Sequence, residues 1–424
     1  MMSNFCLQKT YNQENTIESM LSVILLSLPR TGVTYALYPI AILLSLKLKL
    51  KSTLKLISIL FILTLFFTIN SLFSELHFMN YALETYLCLP FFIFISGFEL
   101  KKNFNRIKTI RLFNLILFLL SIINLFHKGF PERIPYINML PDVFGALFGL
   151  GGAKIVTIVG FFGLISELHQ KKFSIYIFLA LFNLIAPSYL TGLCLAIGSL
   201  VIAGILTRPK TIPFLILIAF LIAPHFSNRL KNLNDAYLSI FKVHPKILSY
   251  KTSLKILNRE ASTSLFGTGF GQFSGESSQW SSDIIPGQTK AAKENRKTKS
   301  RTRKLAKVFH LKPSYYHKKY LTPILKHTEN NAFLFQSSIN KPFTGISTLV
   351  VEMGIPLFLI ISFLWIKRIF QSSTNLYTKI TIFIFTLCLF FLENIHCNIW
   401  YFSCLSIVLG KNHTPCTKDI SHEI

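Results

Sequence analysis

The chain reads as an all-α polytopic membrane protein, and three observations predict it. Of 424 residues, 51% are hydrophobic, 41 are Phe and only 15% are charged, where soluble domains carry about 25% charged residues. The apolar residues come in long blocks rather than in the periodic stripes of a soluble amphipathic fold. Lys and Arg then recur after alternate blocks, which is how a membrane chain marks its sides.

Apolar segments read at about 18–28, 31–46, 56–74, 80–98, 110–126, 144–166, 173–187, 190–206, 211–226, 345–366, 377–392 and 395–410. A helix needs roughly 20 residues to cross the hydrocarbon core, so these give about twelve spans. The first two are short and broken by Pro29-Arg30, and read either as a helical hairpin or as one kinked helix. The expected organisation is a nine-span bundle over 1–226, a long loop over 227–344, and three spans with a short tail over 345–424. No cleavable signal peptide is expected: the first apolar run starts near Met20, after a polar stretch with Glu14 and Glu18, and no A-x-A site follows. No internal repeat is visible.

The cations orient the spans. Lys47, Lys49, Lys51 and Lys55; Lys101, Lys102, Arg106 and Lys108; Lys171 and Lys172; Arg208 and Lys210; Lys367 and Arg368; and Lys411 all fall on one side of a twelve-span chain. That side is the cytoplasm by the positive-inside rule, with both termini on it. The 227–344 loop then lies outside. It holds 21 Lys/Arg against six Asp/Glu, a net +15 of the chain's +26, and long loops cross largely regardless of charge. Nucleic acid is excluded as a partner on that side. Anionic membrane lipid head groups, a lipid-linked diphosphate or lipopolysaccharide fit the charge. The run "KAAKENRKTKSRTRKLAK" at 290–307 reads as a solvated linker, or else as a docking strip for anionic lipid.

Seven cysteines, with Cys88, Cys194, Cys388 and Cys404 in apolar segments and Cys397 in a short turn, form no C-x-x-C pair. No metal site is expected from them. "LFGTGFGQFSG" at 265–275 places Gly267, Gly269 and Gly271 at alternate positions. Gln272 stands where a dinucleotide fingerprint needs its third glycine, and no G-K-[ST] follows, so it is no nucleotide loop. It reads as a surface turn, or as a tight turn that aims main-chain N–H groups at an anionic head group. Downstream, "HTENNAFLFQSS" at 327–338 groups His327, Glu329, Asn330 and Asn331, and "VVEMGIPLFLI" at 351–361 puts Glu352 about two turns into a span. An ionisable residue at that depth has a partner and, by default, a function. "LENIHCNIW" at 392–400 reads as a bland polar turn at the outer end of the last hairpin, or else as one whose Glu393 and His396 line the external cavity.

Taken in order, "LFGTGFGQF", "TENNAFLFQ" and the E-x-G that heads a span, after nine spans, resemble the O-antigen polymerase and O-antigen ligase superfamily. The local likeness covers about residues 250–356. The resemblance implies a bacterial inner-membrane enzyme that transfers glycan from an undecaprenyl-diphosphate-linked oligosaccharide at the periplasmic face, without cofactor or metal and with inversion. A chain-length regulator is an implied partner. Ligases of the superfamily carry His directly before Asn in the second motif; here Asn330 holds that position and His327 is the nearest His, which favours the polymerase. The ligase, transferring glycan to a lipid core, and a lipid-linked oligosaccharide flippase are the alternatives. The flippase is disfavoured because charge concentrates in one external loop.

On that reading the leaving diphosphate is the main electrostatic problem, and preorganised cations and N–H donors answer it. Arg229, Lys251 and Arg259, all between the ninth span and the glycine turn, are the diphosphate candidates, with the turn's own N–H groups beside them. Glu329 or Glu352 orients or deprotonates the acceptor hydroxyl, and His327 is the alternative base because its pKa lies near working pH. Trp280, Tyr315, Tyr316 and Phe333 are candidates for stacking on sugar faces.

Overall fold

A computed structural model describes residues 46–47, 49–100, 106–128, 152–170, 174–187, 189–207, 245–259, 261–282, 306–330, 344–393 and 395–409. The segments at 18–28 and 211–226, together with Arg30, Arg229, Asn331 and Phe333, lie outside them. The described chain is mostly helical with almost no strand.

Helix α1 (Leu50–Ser71) shows which solvent this chain is built for. Leu50, Leu54, Ile57, Phe61 and Leu65 repeat at helical spacing and are all exposed, while Ser52 and Asn70 are buried with Ile59, Leu63 and Phe67. An apolar face turned outward over polar groups turned inward is unfavourable in water and favourable in lipid. Helix α2 (Phe78–Leu87) and α3 (Leu89–Ser96) return alongside it. The sequence predicts one span over 80–98; the structure breaks it with a 55° bend between the two helices. Pro90 sits in the first turn of α3, where its missing N–H is harmless, and it disfavours helical geometry at the residue before it. Two short strands, β1 (Leu46–Lys47) and β2 (Glu99–Leu100), pair antiparallel with Leu46 opposite Leu100 and close this hairpin at one end.

Next come α4 (Arg106–Lys128), α5 (Gly152–Gln170), α6 (Ile175–Ile185) and α7 (Leu190–Thr207). Helix α5 is the centre of this part, packed against α4, α6 and α7. Gly160 permits the α5–α6 contact, since a Cβ there would lie 2.6 Å from the Leu184 main-chain nitrogen. The loop segment contributes α8 (Pro245–Arg259), α9 (Ala261–Phe266), α10 (Glu276–Ser281) and, after one π-helical turn at His317–Leu321, α11 (Thr322–Asn330). The chain ends in α12 (Gly345–Met353), α13 (Ile355–Phe370), α14 (Leu376–Leu392) and α15 (Ile399–Leu409). The apolar segment expected as one span over 345–366 is thus two helices that meet at Gly354.

Among the described residues, α1 and α4 are long and apolar enough to cross a membrane, and the bent α2–α3 pair makes a third. The contacts also sort helix ends into two groups. At one end, Arg368 donates to the Phe98 carbonyl at 2.8 Å, Arg106 to the Val408 carbonyl at 3.1 Å, and Ser52 to the Gly97 carbonyl at 3.1 Å. These join the cation-bearing ends of α13, α4 and α1. At the other end lie the α1–α2 corner, the loop helices and the turn between α14 and α15, where Lys154 of α5 reaches Glu393 at 3.3 Å.

The interior is more charged than the sequence suggests. Arg111 of α4 grips Glu167 of α5 through two bonds of 2.6 and 2.7 Å. Glu84, Glu167 and Glu352 are all buried. Charge is thus not confined to the external loop: Arg111 and Glu167 pair inside the bundle, each offsetting the other.

Candidate functional site

The glycine turn supplies the organising feature. Gly267, Gly269 and Gly271 all have positive φ, at 74°, 91° and 76°. Two of them also forbid a side chain on contact grounds. A Cβ at Gly267 would stand 2.3 Å from the Glu352 carbonyl oxygen, and one at Gly271 2.5 Å from that of Asn80. The chain needs these conformations to curl around one carboxylate. Glu352 Oε2 accepts from the Gly271 N–H at 2.8 Å. Its Oε1 accepts from the N–H groups of Phe273, Ser274 and Gly275 at 2.9, 2.9 and 2.8 Å. The Thr268 N–H adds a bond to the Val351 carbonyl at 2.7 Å. Gly354 completes the fit, since a Cβ on it would lie 2.7 Å from the Gly267 nitrogen. The E-x-G that heads the span therefore has a physical account: the glutamate holds the turn and the glycine lets two backbones touch.

Flanking segments lock this knot. The Gln272 side chain accepts from the His77 N–H and donates to the His77 carbonyl, both at 3.0 Å, which fixes the turn to the α1–α2 corner. Asn70 donates to the Phe266 carbonyl at 3.1 Å, and Ser274 bonds Thr348 through hydroxyls at 2.7 Å. Behind the turn, Ser278 Oγ meets His317 Nδ1 at 2.7 Å. His317 is 1% exposed, and burial holds its pKa down to about 4, so it is neutral at physiological pH.

Two expectations are corrected by this geometry. The glycine turn does aim main-chain N–H groups at an anion, but the anion is the chain's own Glu352. Gly267, Gly269 and Gly271 are buried, and the four donors around the carboxylate are spent. Glu352 is 1% exposed with both oxygens occupied, so it organises the turn and does not face an acceptor hydroxyl.

The remaining candidates among the described residues lie on helices that share a small second core. Ile256 and Leu257 of α8, Leu321 and Leu325 leading into and along α11, Phe273 of the turn, Val351 of α12, and Tyr316 and Tyr320 pack together. Lys251 and Arg259 are exposed on α8, and His327 is exposed in the last turn of α11, whose end carries Glu329 and Asn330. The glycine turn and the head of α12 thus pack with α8 and α11, with the buried acid inside and Lys251, Arg259 and His327 outside; residues 331–336 of the second motif lie outside the described residues. Of the aromatic candidates, Trp280 and Tyr316 are core residues at 6% and 3% exposure, and Tyr315 is exposed.

Sequence reasoning missed a second buried acid. Glu84 of α2, with 0% exposure, accepts from the Ser277 N–H at 2.8 Å and lies 3.1 Å from His396 Nε2 and 3.0 Å from Cys397 Sγ. An acid inside an apolar segment was the available signal. Glu393, beside His396 in the same turn, instead joins Lys154 and Lys246 at 3.3 and 3.9 Å. Burial lowers the Lys246 pKa, and nearby Glu393 opposes that shift. Glu393 and His396 are therefore both anchored to other helices, and this turn is not a bland exit from the membrane.

Comparison with family models, with curated proteins and with solved structures finds no match for the chain.

Proposed function

We propose that this protein is a membrane-embedded glycan polymerase that moves glycan from an undecaprenyl-diphosphate-linked donor onto a second lipid-linked repeat unit. The observation that carries the reading is the small core beside Glu352. It packs the glycine turn and the head of α12 against α8, which carries Lys251 and Arg259, and against α11, whose last turn carries His327 and leads into the second motif. In this reading Lys251 and Arg259, with Arg229, offset charge on the departing diphosphate. His327 or Glu329 receives the acceptor proton. The knot holds α8 and α11 in place and makes no contact with substrate. A bacterial inner membrane is the setting, with both termini in the cytoplasm. Anionic lipid and a chain-length regulator are partners.

The test is made in the host that carries the gene. Deletion leaves surface glycan with a single repeat, and the wild-type gene restores a ladder. Each charge-assisted contact is worth about 1.5–3 kcal/mol, so R229A, K251A and R259A each cut polymerisation by roughly ten- to a hundred-fold and shorten the ladder. Normal ladders in all three variants overturn the cation assignment. Long polymer retained on the lipid carrier after deletion identifies a ligase instead, and repeat units trapped on the cytoplasmic side identify a flippase.

A further inference from the structure

Four side chains of the kind that bind transition metals converge where the α2–α3 bend meets the turn before α15. Glu84, Cys88, His396 and Cys397 present one ligand atom each, all within 4.8 Å of one another. Glu84, Cys88 and His396 have 0% exposure. The spacing is regular on one side: Glu84 and Cys88 stand four residues apart at the end of α2, on one helix face. The other two ligands are adjacent in a short turn. This is why a search for C-x-x-C finds nothing.

We propose that this cluster is a structural zinc(II) site, with Glu84 Oε1, His396 Nε2 and the two thiolates as a closed tetrahedral set. Three arguments support it. The donor types are those zinc prefers, two sulfurs, one imidazole and one carboxylate, and no position is left open for substrate. Glu84 has an outer-shell partner, since the Ser277 N–H holds its other oxygen at 2.8 Å and so orients the one that faces the cluster. Metal entry also displaces the two thiol protons, so Zn(II) with two thiolates and the Glu84 carboxylate carries the same net −1 as the ionised acid beside two thiols, and no further charge is buried. The two sulfurs are 2.7 Å apart, and tetrahedral bonds of 2.3 Å would set them about 3.8 Å apart. Metal entry therefore has to move Cys397 outward by about 1 Å, which its place on the 395–398 turn, outside any helix, permits. The ion would clip this turn to the α2–α3 bend and so to the glycine knot. The inference does not depend on the glycan reading.

The full chain, purified in detergent with reductant, is loaded with Co(II) or Zn(II) and desalted. Metal per chain is then counted by mass spectrometry, and the Co(II) form is examined by absorption. The expected result is one metal per chain, with thiolate-to-cobalt charge transfer and tetrahedral d–d bands. C88S and H396A lose at least ten-fold in retained metal, while C194S, remote on α7, keeps it. A wild-type Co(II) spectrum without thiolate bands overturns the proposal even if every variant misfolds. So does a Cys88–Cys397 disulfide with no metal in protein purified without reductant, or equal metal retention in wild type and C88S.

Discussion

Glu352 and Glu84 are both buried acids that touch the same glycine-rich stretch, yet they are satisfied in opposite ways. Glu352 draws four main-chain N–H groups from one contiguous turn. Glu84 takes a single main-chain N–H and otherwise depends on His396 and Cys397, more than 300 residues away. Main-chain donors have fixed positions and cannot rotate away, so the first arrangement is preorganised by the turn itself. Side-chain partners have to be carried in by helix packing. The first acid therefore acts as a local fold determinant, and the second as a clasp between distant parts of the chain.

That contrast can be broken most severely at Glu352. E352A orphans four buried donors at about 1–3 kcal/mol each, so the detergent-solubilised protein loses more than about 4 kcal/mol in a denaturant titration. E352Q keeps one acceptor oxygen and retains about half of that stability. A loss below about 1 kcal/mol in E352A means the four bonds do not hold the turn.

The next effect comes from acid and reads out His317, behind the turn. Its folded pKa of about 4 lies below the ordinary 6.5. Above pH 6.5 the imidazole is neutral in both states and stability is full. As pH falls through 6.5 toward 4, only the unfolded state takes the proton, and about 3 kcal/mol drains away. H317Q should flatten that part of the stability–pH curve; a curve of unchanged slope assigns the loss to other groups.

Glu84 gives a smaller response. In chelator-treated protein E84Q preserves an acceptor for Ser277 and forfeits the charged contact to His396, a cost of about 2 kcal/mol. A loss as large as that of E352A would erase the distinction between the two acids. The outer cations complete the series. Lys251 and Arg259 are exposed, so K251A and R259A should change stability by less than about 0.5 kcal/mol. A large destabilisation would make them scaffold, and their effect on any ladder uninformative.

Legibility in the sequence follows the range of the interactions. The apolar length of α1 and the burial of Glu352 were readable, because hydrophobic block length and an isolated acid are local signals. The failure of the nucleotide fingerprint was readable for the same reason. The partner of Glu352 was not, since Gly271 precedes it by 81 residues, and no spacing rule connects them. The bend within the expected 80–98 span had a visible marker in Pro90, but a proline in a first helical turn is compatible with several paths. The Glu84 cluster was obscured by its construction from a helical pair and a distant adjacent pair.

The sequence by itself determined the solvent and the building blocks: long apolar helices, a cationic loop segment, and glycines free to take positive φ. Hydrophobic length, charge and backbone freedom belong to single residues or short windows, so they survive without coordinates. Tertiary structure alone decided what the special residues face. It turned the glycine N–H groups inward onto Glu352 and joined Cys88 to Cys397 across 309 positions. Both outcomes follow from one requirement, that a polar group removed from solvent has to meet a partner wherever packing brings one.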